Sequence, residues 1–266
     1  MRKFIISTLL ALLSVSSVPA QRNSPPSKTE LAEITERGRQ LAAYDLAAWH
    51  ATDAVQALNP AEGSVARYLA RKTDNGWTVV FGRFNEKRDK FLIAYEAMQG
   101  ASPVEFTVKQ YDPPKEDAGF YLSAAKAVET AIADFKGENR PYNVAALLTK
   151  ANQMYVYVVP AQTQSGIYPL GGDVRYLISQ DGSKIVEKRQ LHKAIIERQV
   201  SEDIQAGFHT AVLDDIPEDT DVFHVLSRKP SVPEYIATQK YVYRVETDGT
   251  INYLMTTEEF QKMKGK

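Results

Sequence analysis

Two helical stretches, each followed by an unbroken run of strand-like segments, constrain the fold of this chain more than any other feature. The first helical pattern begins at Thr29. Apolar or small residues recur at Leu31, Ile34, Gly38, Leu41, Ala42, Ala48, Trp49 and Val55, close to a 3.6-residue period. Thr29 is placed to cap this helix, and Glu30 and Glu33 lie in its first turn, where the helix dipole favours acids. Asn59-Pro60 ends it, because proline disfavours helical geometry in the preceding residue. Strand-like segments follow at 65–71, 77–84, 90–98 and 104–111, separated by short polar turns such as Asp74-Asn75-Gly76. Asp112-Pro113-Pro114 is expected to close this unit.

The second helical pattern covers 117–136, with Phe120, Tyr121, Ala124, Val128, Ala131, Ile132 and Phe135 as its stripe and Gly137 as a fitting C-terminal cap. Strand-like segments return at 142–148, 154–159, 174–179, 184–196, 208–213, 222–226, 241–245 and 251–255, before a short polar helix at 257–263. Helices that do not alternate singly with strands argue against a parallel doubly wound sheet. Consecutive strands on short turns argue for antiparallel pairing. The expected class is α+β, with antiparallel sheets each packed on a helix. This leaves room for two similar helix-plus-meander halves, although no residue-level repeat links them. The expected division is 29–112, a helix plus an antiparallel meander, and 113–266, a helix plus a larger antiparallel sheet.

Residues 1–20 stand apart from this scheme. Arg2 and Lys3 precede an apolar run from Phe4 to Val15, broken only by Ser7, Thr8 and Ser14, and Val18-Pro19-Ala20 comes before Gln21. That is the three-part layout of a secretory signal peptide. The run is shorter than the roughly 20 apolar residues a membrane-spanning helix needs. The expectation is therefore an exported bacterial-type chain, periplasmic or secreted. It would be cleaved after Ala20, continue through a flexible lead-in at 21–28, and have no membrane span once the signal is removed.

Export makes the cysteine count informative. The chain has Cys 0, so it has no disulfide framework, thiolate nucleophile, cysteine-ligated zinc or iron–sulfur cluster. Its stability must come from packed cores. The 32 Lys+Arg against 33 Asp+Glu give a net charge of -1, so no global field attracts nucleic acid. The sequence contains no phosphate-binding loop, dinucleotide fingerprint, nucleophile elbow or H-E-x-x-H helix, and no cofactor is expected. Gly171-Gly172 precedes a strand and reads as a bulge or turn rather than a phosphate cradle.

Two groups of residues remain as candidate sites. His209 and His224 fall on 208–213 and 222–226, read as consecutive strands. If Leu213 pairs with Thr220, the two imidazoles face each other, and a one-residue slip puts them on opposite faces. The loop between carries Asp214, Asp215, Glu218, Asp219 and Asp221. Carboxylates beside imidazoles can bind a divalent cation or form an acid–base pair. A run of turn-forming acids is more simply a solvated loop. On the first helix, Asp45 lies beside the apolar stripe near Trp49, with His50 and Asp53 three residues apart. A polar anchor between helix and sheet explains this group more simply than a ligand-facing wall does. The metal question stays open on sequence alone. The leading functional reading is a non-catalytic envelope protein that binds a ligand or partner. The alternative is an exported hydrolase or metal-dependent enzyme that uses His209, His224 and the nearby carboxylates.

Overall fold

A computed structural model describes residues 24–199, 201 and 203–264. The expected signal segment and the first residues of the lead-in lie outside the described residues. Helix α1 spans Lys28–Gln56 and begins slightly before the expected start. Ser27 caps it in place of Thr29. The Ser27 hydroxyl accepts from the Glu30 N–H at 3.2 Å and the Glu30 carboxylate accepts from the Ser27 N–H at 2.9 Å, a reciprocal capping box.

Strands β1 (Arg67–Thr73), β2 (Gly76–Phe84), β3 (Phe91–Gln99) and β4 (Phe106–Asp117) form an antiparallel meander in the order β1-β2-β3-β4. The Asp112-Pro113-Pro114 run does not end the unit. It lies inside β4, where the β3–β4 register shifts between Ile93 and Tyr95. Proline has no N–H for the ladder, so the extra residues bulge outward and pairing resumes at Lys115. Helix α2 (Phe120–Asp134) follows, with the Asp117 side chain accepting from the Gly119 and Leu122 N–H groups.

A second four-stranded sheet has the order β5-β6-β8-β9, built from Tyr142–Leu148, Met154–Pro160, Val174–Ile178 and Ile185–Gln190. Strands β7 (Ile167–Gly171) and β10 (Ile195–Gln199) pair with each other. The segment 184–196, expected as one strand, is therefore split between two sheets. The protein is an α+β fold with antiparallel-dominated sheets packed on helices.

Side-chain alternation explains how the layers form. In β2, Val79 and Phe81 face α1, while Val80 faces α2. In β6, Tyr157 and Val159 join the α1 core, while Val156 and Val158 join the α2 core. β1 lies beside β5, so the two sheets form one layer between the two helices.

A third core is built by the start of α1, α3 (Asp219–Ser227), β12 (Glu234–Ala237), β13 (Tyr241–Val245) and β14 (Ile251–Thr256), with β11 (Gly207–Thr210) at the edge of the sheet and the terminal helix α4 (Thr257–Lys264) beside it. β11 pairs in parallel with β12, and the other pairs are antiparallel. The expected hairpin between 208–213 and 222–226 does not form, because 222–226 is helical. Val222 and Val225, three apart, are fully buried on one face of α3. The Asp221 carboxylate accepts from the Glu218 N–H at 2.7 Å, which fixes the first turn. The β-branched residues suggested a strand, but capping and packing against α1 decide for a helix.

α1 crosses α3 at Gly38, where a Cβ would lie 2.4 Å from Val222 Cβ and 2.5 Å from the Asp219 carbonyl oxygen. Gly38→Ala is expected to destabilise the fold by about 1–3 kcal/mol through overpacking, despite alanine's better helix propensity. Urea unfolding of the two forms measures it. An alanine variant as stable as the parent would show that the crossing can widen freely.

Candidate functional site

The polar groups of the C-terminal part converge in a buried chain of alternating carboxylates and imidazoles. Asp173 follows Gly171 and Gly172, whose φ values of +90° and +67° turn the backbone between β7 and β8. His192 follows β9, His209 lies in β11, Asp221 lies in the first turn of α3 and Glu234 opens β12. His192 Nδ1 is 2.8 Å from Asp173 Oδ1, and His192 Nε2 is 3.1 Å from Asp221 Oδ1. His209 Nε2 is also 3.1 Å from Asp221 Oδ1, and His209 Nδ1 is 2.9 Å from Glu234 Oε1. Glu234 continues the chain to Arg228 at 2.8 Å and Arg198 at 3.3 Å. Gly207 makes room for this carboxylate, since a Cβ there would lie 1.7 Å from Glu234 Oε2.

The electrostatics follow from this alternation. Burial opposes charge on His192, but Asp173 and Asp221 outweigh it and hold its pKa well above the ordinary imidazole value. Burial likewise opposes charge on His209, and Asp221 and Glu234 raise its pKa nonetheless. Burial would raise the Asp221 pKa, but the two imidazoles pull it far below the usual carboxylate range. Each ring lies between two carboxylates. A neutral ring would turn one lone pair toward an anion, so the doubly protonated form fits this arrangement.

His224 is one turn beyond Asp221 in α3 and joins no carboxylate. Burial drives its pKa down to about 4, so its ring is neutral near pH 7. His209 and His224, paired in the sequence reading, therefore have different environments. Of the acidic loop, Asp215, Glu218, Asp219 and Asp221 are buried, contrary to the solvated-loop expectation. Asp219 meets Arg37 at 2.9 Å, the Tyr157 hydroxyl at 2.8 Å and Arg175. Glu218 and Asp214 meet Arg189 at 2.6 and 3.0 Å, and Asp215 accepts from the Lys240 N–H at 3.0 Å. The partners come from distant strands and helices, which is why the loop itself looked solvated. Reading along the chain missed His192, Asp173 and Glu234. The only local signal was the double glycine before Asp173.

The helix group separates. Trp49 is 61% exposed and stacks on His50, with ring centroids 5.0 Å apart and planes at 14°. Asp53 is exposed and makes no hydrogen bond to His50 among the described residues. Asp45 lies in the wall of a cleft of about 800 Å³ between α1, the end of β6, β7 and α3. Leu46, Trp49, Tyr68, Val159 and Phe223 supply apolar surface there, and the exposed Leu46 and Trp49 lie at its mouth. Asp45 has no hydrogen-bond or ion-pair partner among the described residues, and burial pushes its pKa up to about 6. This contradicts the expected polar anchor, which required hydrogen-bonding partners. His224 lines both this cleft and a smaller cavity of about 210 Å³ near Arg198, Phe208 and Arg228.

The chain matches no family model, curated protein or solved structure. Among the described residues, no helix is long and apolar enough to cross a membrane.

Proposed function

We propose that this is an exported, non-catalytic binding protein whose cleft beside α1 takes a small molecule with an apolar body and a cationic head. The observation that carries the reading is Asp45, which among the described residues has no hydrogen-bond or ion-pair partner in the wall of a cleft where Arg39, also in the lining, is engaged by Asp248 and Lys229 is the other cation. Binding pockets commonly pair apolar walls with a few placed polar groups. A cationic amine would supply the charge that Asp45 lacks, and the aromatic rings would cover the ligand's apolar part.

The experiment is a titration of the mature chain with 2-phenylethylamine and dodecylamine, each compared with its uncharged alcohol. Trp49 fluorescence reports occupancy at the cleft mouth, and a thermal shift reports it independently. The amines are expected to bind at one equivalent. Asp45→Asn is expected to weaken them at least tenfold, about 1.4 kcal/mol, while leaving the alcohols unchanged. Equal binding of amine and alcohol, or an unchanged affinity in Asp45→Asn, would overturn the cationic-ligand reading.

Export rests on residues 1–20. When the full chain is expressed in a bacterium with an intact export system, the purified product is expected to begin at Gln21. Intact-mass measurement checks this, and an uncleaved cytoplasmic product would overturn it.

The enzyme alternative has one observation in its favour, the convergence of His192, His209 and Asp221. The His209 side chain is only 1% exposed and lines neither cavity described above. A substrate would have to open the fold to reach it, so the binding reading is preferred.

A further inference from the structure

We propose that His192, His209 and Asp221 form a structural site for a divalent transition-metal ion, independent of the ligand cleft. Their ligand atoms lie within 4.8 Å of one another, and all three residues are buried. Both Nε2 atoms lie 3.1 Å from the same oxygen, Asp221 Oδ1. Ligand atoms around a tetrahedral ion with bonds of ~2.0–2.1 Å are about 3.3 Å apart, which the two nitrogen–oxygen distances approach, while the two nitrogens, within 4.8 Å of each other, would close onto the ion. Two imidazole nitrogens and one carboxylate oxygen suit zinc, cobalt or nickel better than calcium or magnesium.

The surroundings have the form of a metal site's supporting shell. Metal-binding histidines commonly donate their other ring N–H to a carboxylate, which fixes the tautomer and aims the free nitrogen. Here Asp173 holds His192 Nδ1 and Glu234 holds His209 Nδ1. The second oxygen of Asp221 accepts from the Glu218 N–H, which turns Oδ1 toward both rings. His209 Nε2 is buried and makes no hydrogen bond of acceptable geometry, although Asp221 Oδ1 is close. Asp221 meets the charge of this ring but not its hydrogen-bonding direction, and a cation between the two atoms would satisfy both. The exchange balances: a dication enters, the two Nε2 protons leave to solvent, and the cluster's net charge is unchanged. Each Nδ1 keeps its proton for its carboxylate.

The test uses the tag-free mature chain, stripped with chelator and then loaded with Co²⁺ or Zn²⁺. Because the site is buried, loading is done both on the folded chain and during refolding. With a water as fourth donor to the three protein ligands, one equivalent of Co²⁺ is expected to bind with intense visible bands of tetrahedral type, and Zn²⁺ is expected to displace it. His209→Gln is expected to lower affinity at least ~100-fold, and Asp173→Asn, which keeps an acceptor for Nδ1, about 10–100-fold. His50→Ala, on the surface of α1, is expected to change nothing. Failure of the parent chain to bind under both loading conditions overturns the proposal, whether or not His209→Gln folds. So does an octahedral cobalt spectrum, or binding that His50→Ala removes and Asp173→Asn leaves intact. None of these results depends on whether the cleft binds an amine.

Discussion

Asp221→Ala is expected to lower the folding stability of the metal-free protein by about 3–5 kcal/mol, the usual cost of removing one partner from a buried ion pair. Three losses combine at this residue. His192 and His209, with ring centroids 5.6 Å apart, lose the carboxylate between them. The Glu218 N–H at the start of α3 loses its acceptor. A buried side chain leaves a void beside the α3 first turn. Urea unfolding at pH 7 measures the change, with exposed Asp53→Ala as a control expected within about 0.5 kcal/mol of the parent.

The same variant tests the charge state of the rings. In the parent, the flanking carboxylates raise both imidazole pKa values, that of His192 well above the ordinary imidazole value. Their stabilising contribution is complete below the unfolded histidine value of about 6.5 and is lost as pH rises through the folded value. In Asp221→Ala, burial is left with less opposition, and both pKa values should fall. NMR titration of the ring protons reads this directly. A stability loss under 1 kcal/mol with unchanged ring titration would mean that Asp221 does not hold the two cations.

This network shows what can and cannot be read along the chain. The layer around α1 and α2 was legible because its information is local. Period 3.6 in Leu31, Ile34, Leu41 and Val55, and strict alternation in β2 and β6, each identify an element and its buried face. Turn chemistry placed the β8–β9 and β13–β14 hairpins for the same reason. The segment 219–227 was misread because Val222, Phe223 and Val225 favour a strand intrinsically. Its helical state depends on a cap from Asp221 and a close crossing at Gly38 of α1, far away in sequence. The candidate site was only half legible. His209 and Asp221 stood out because one precedes an acidic loop and the other belongs to it. His192, Asp173 and Glu234 each look ordinary in their own segments, and only the meeting of the second and third sheets brings them together. Likewise, no local feature shows that Asp215, Glu218 and Asp219 are neutralised by Lys240, Arg189, Arg37 and Arg175.

Asp45→Asn is expected to make the protein more stable at pH 7.5 and to leave its stability unchanged near pH 3. The sign follows from linkage. Burial raises the Asp45 pKa from 3.8 to about 6 in the folded state. The unfolded chain therefore gives up this proton more readily, and the parent loses stability as pH climbs from about 4 to 6. Above pH 6 the loss has reached its plateau. At about 1.4 kcal/mol per pKa unit the ceiling is ~3 kcal/mol. The side chain is partly open to the cleft, so the gain in Asp45→Asn should be about 1–3 kcal/mol. Asparagine keeps the shape and removes the charge, and urea unfolding at the two pH values isolates ionisation as the cause. An equal gain at both would point to packing, and no gain at either would mean that water in the cleft already satisfies the carboxylate. A side chain that lowers stability at neutral pH and faces an apolar cleft is the pattern expected where binding and stability compete. The variant should therefore gain stability while losing amine affinity. A ligand amine should recover for the parent the stability that Asp45 costs it, since binding to the folded state alone raises stability by mass action.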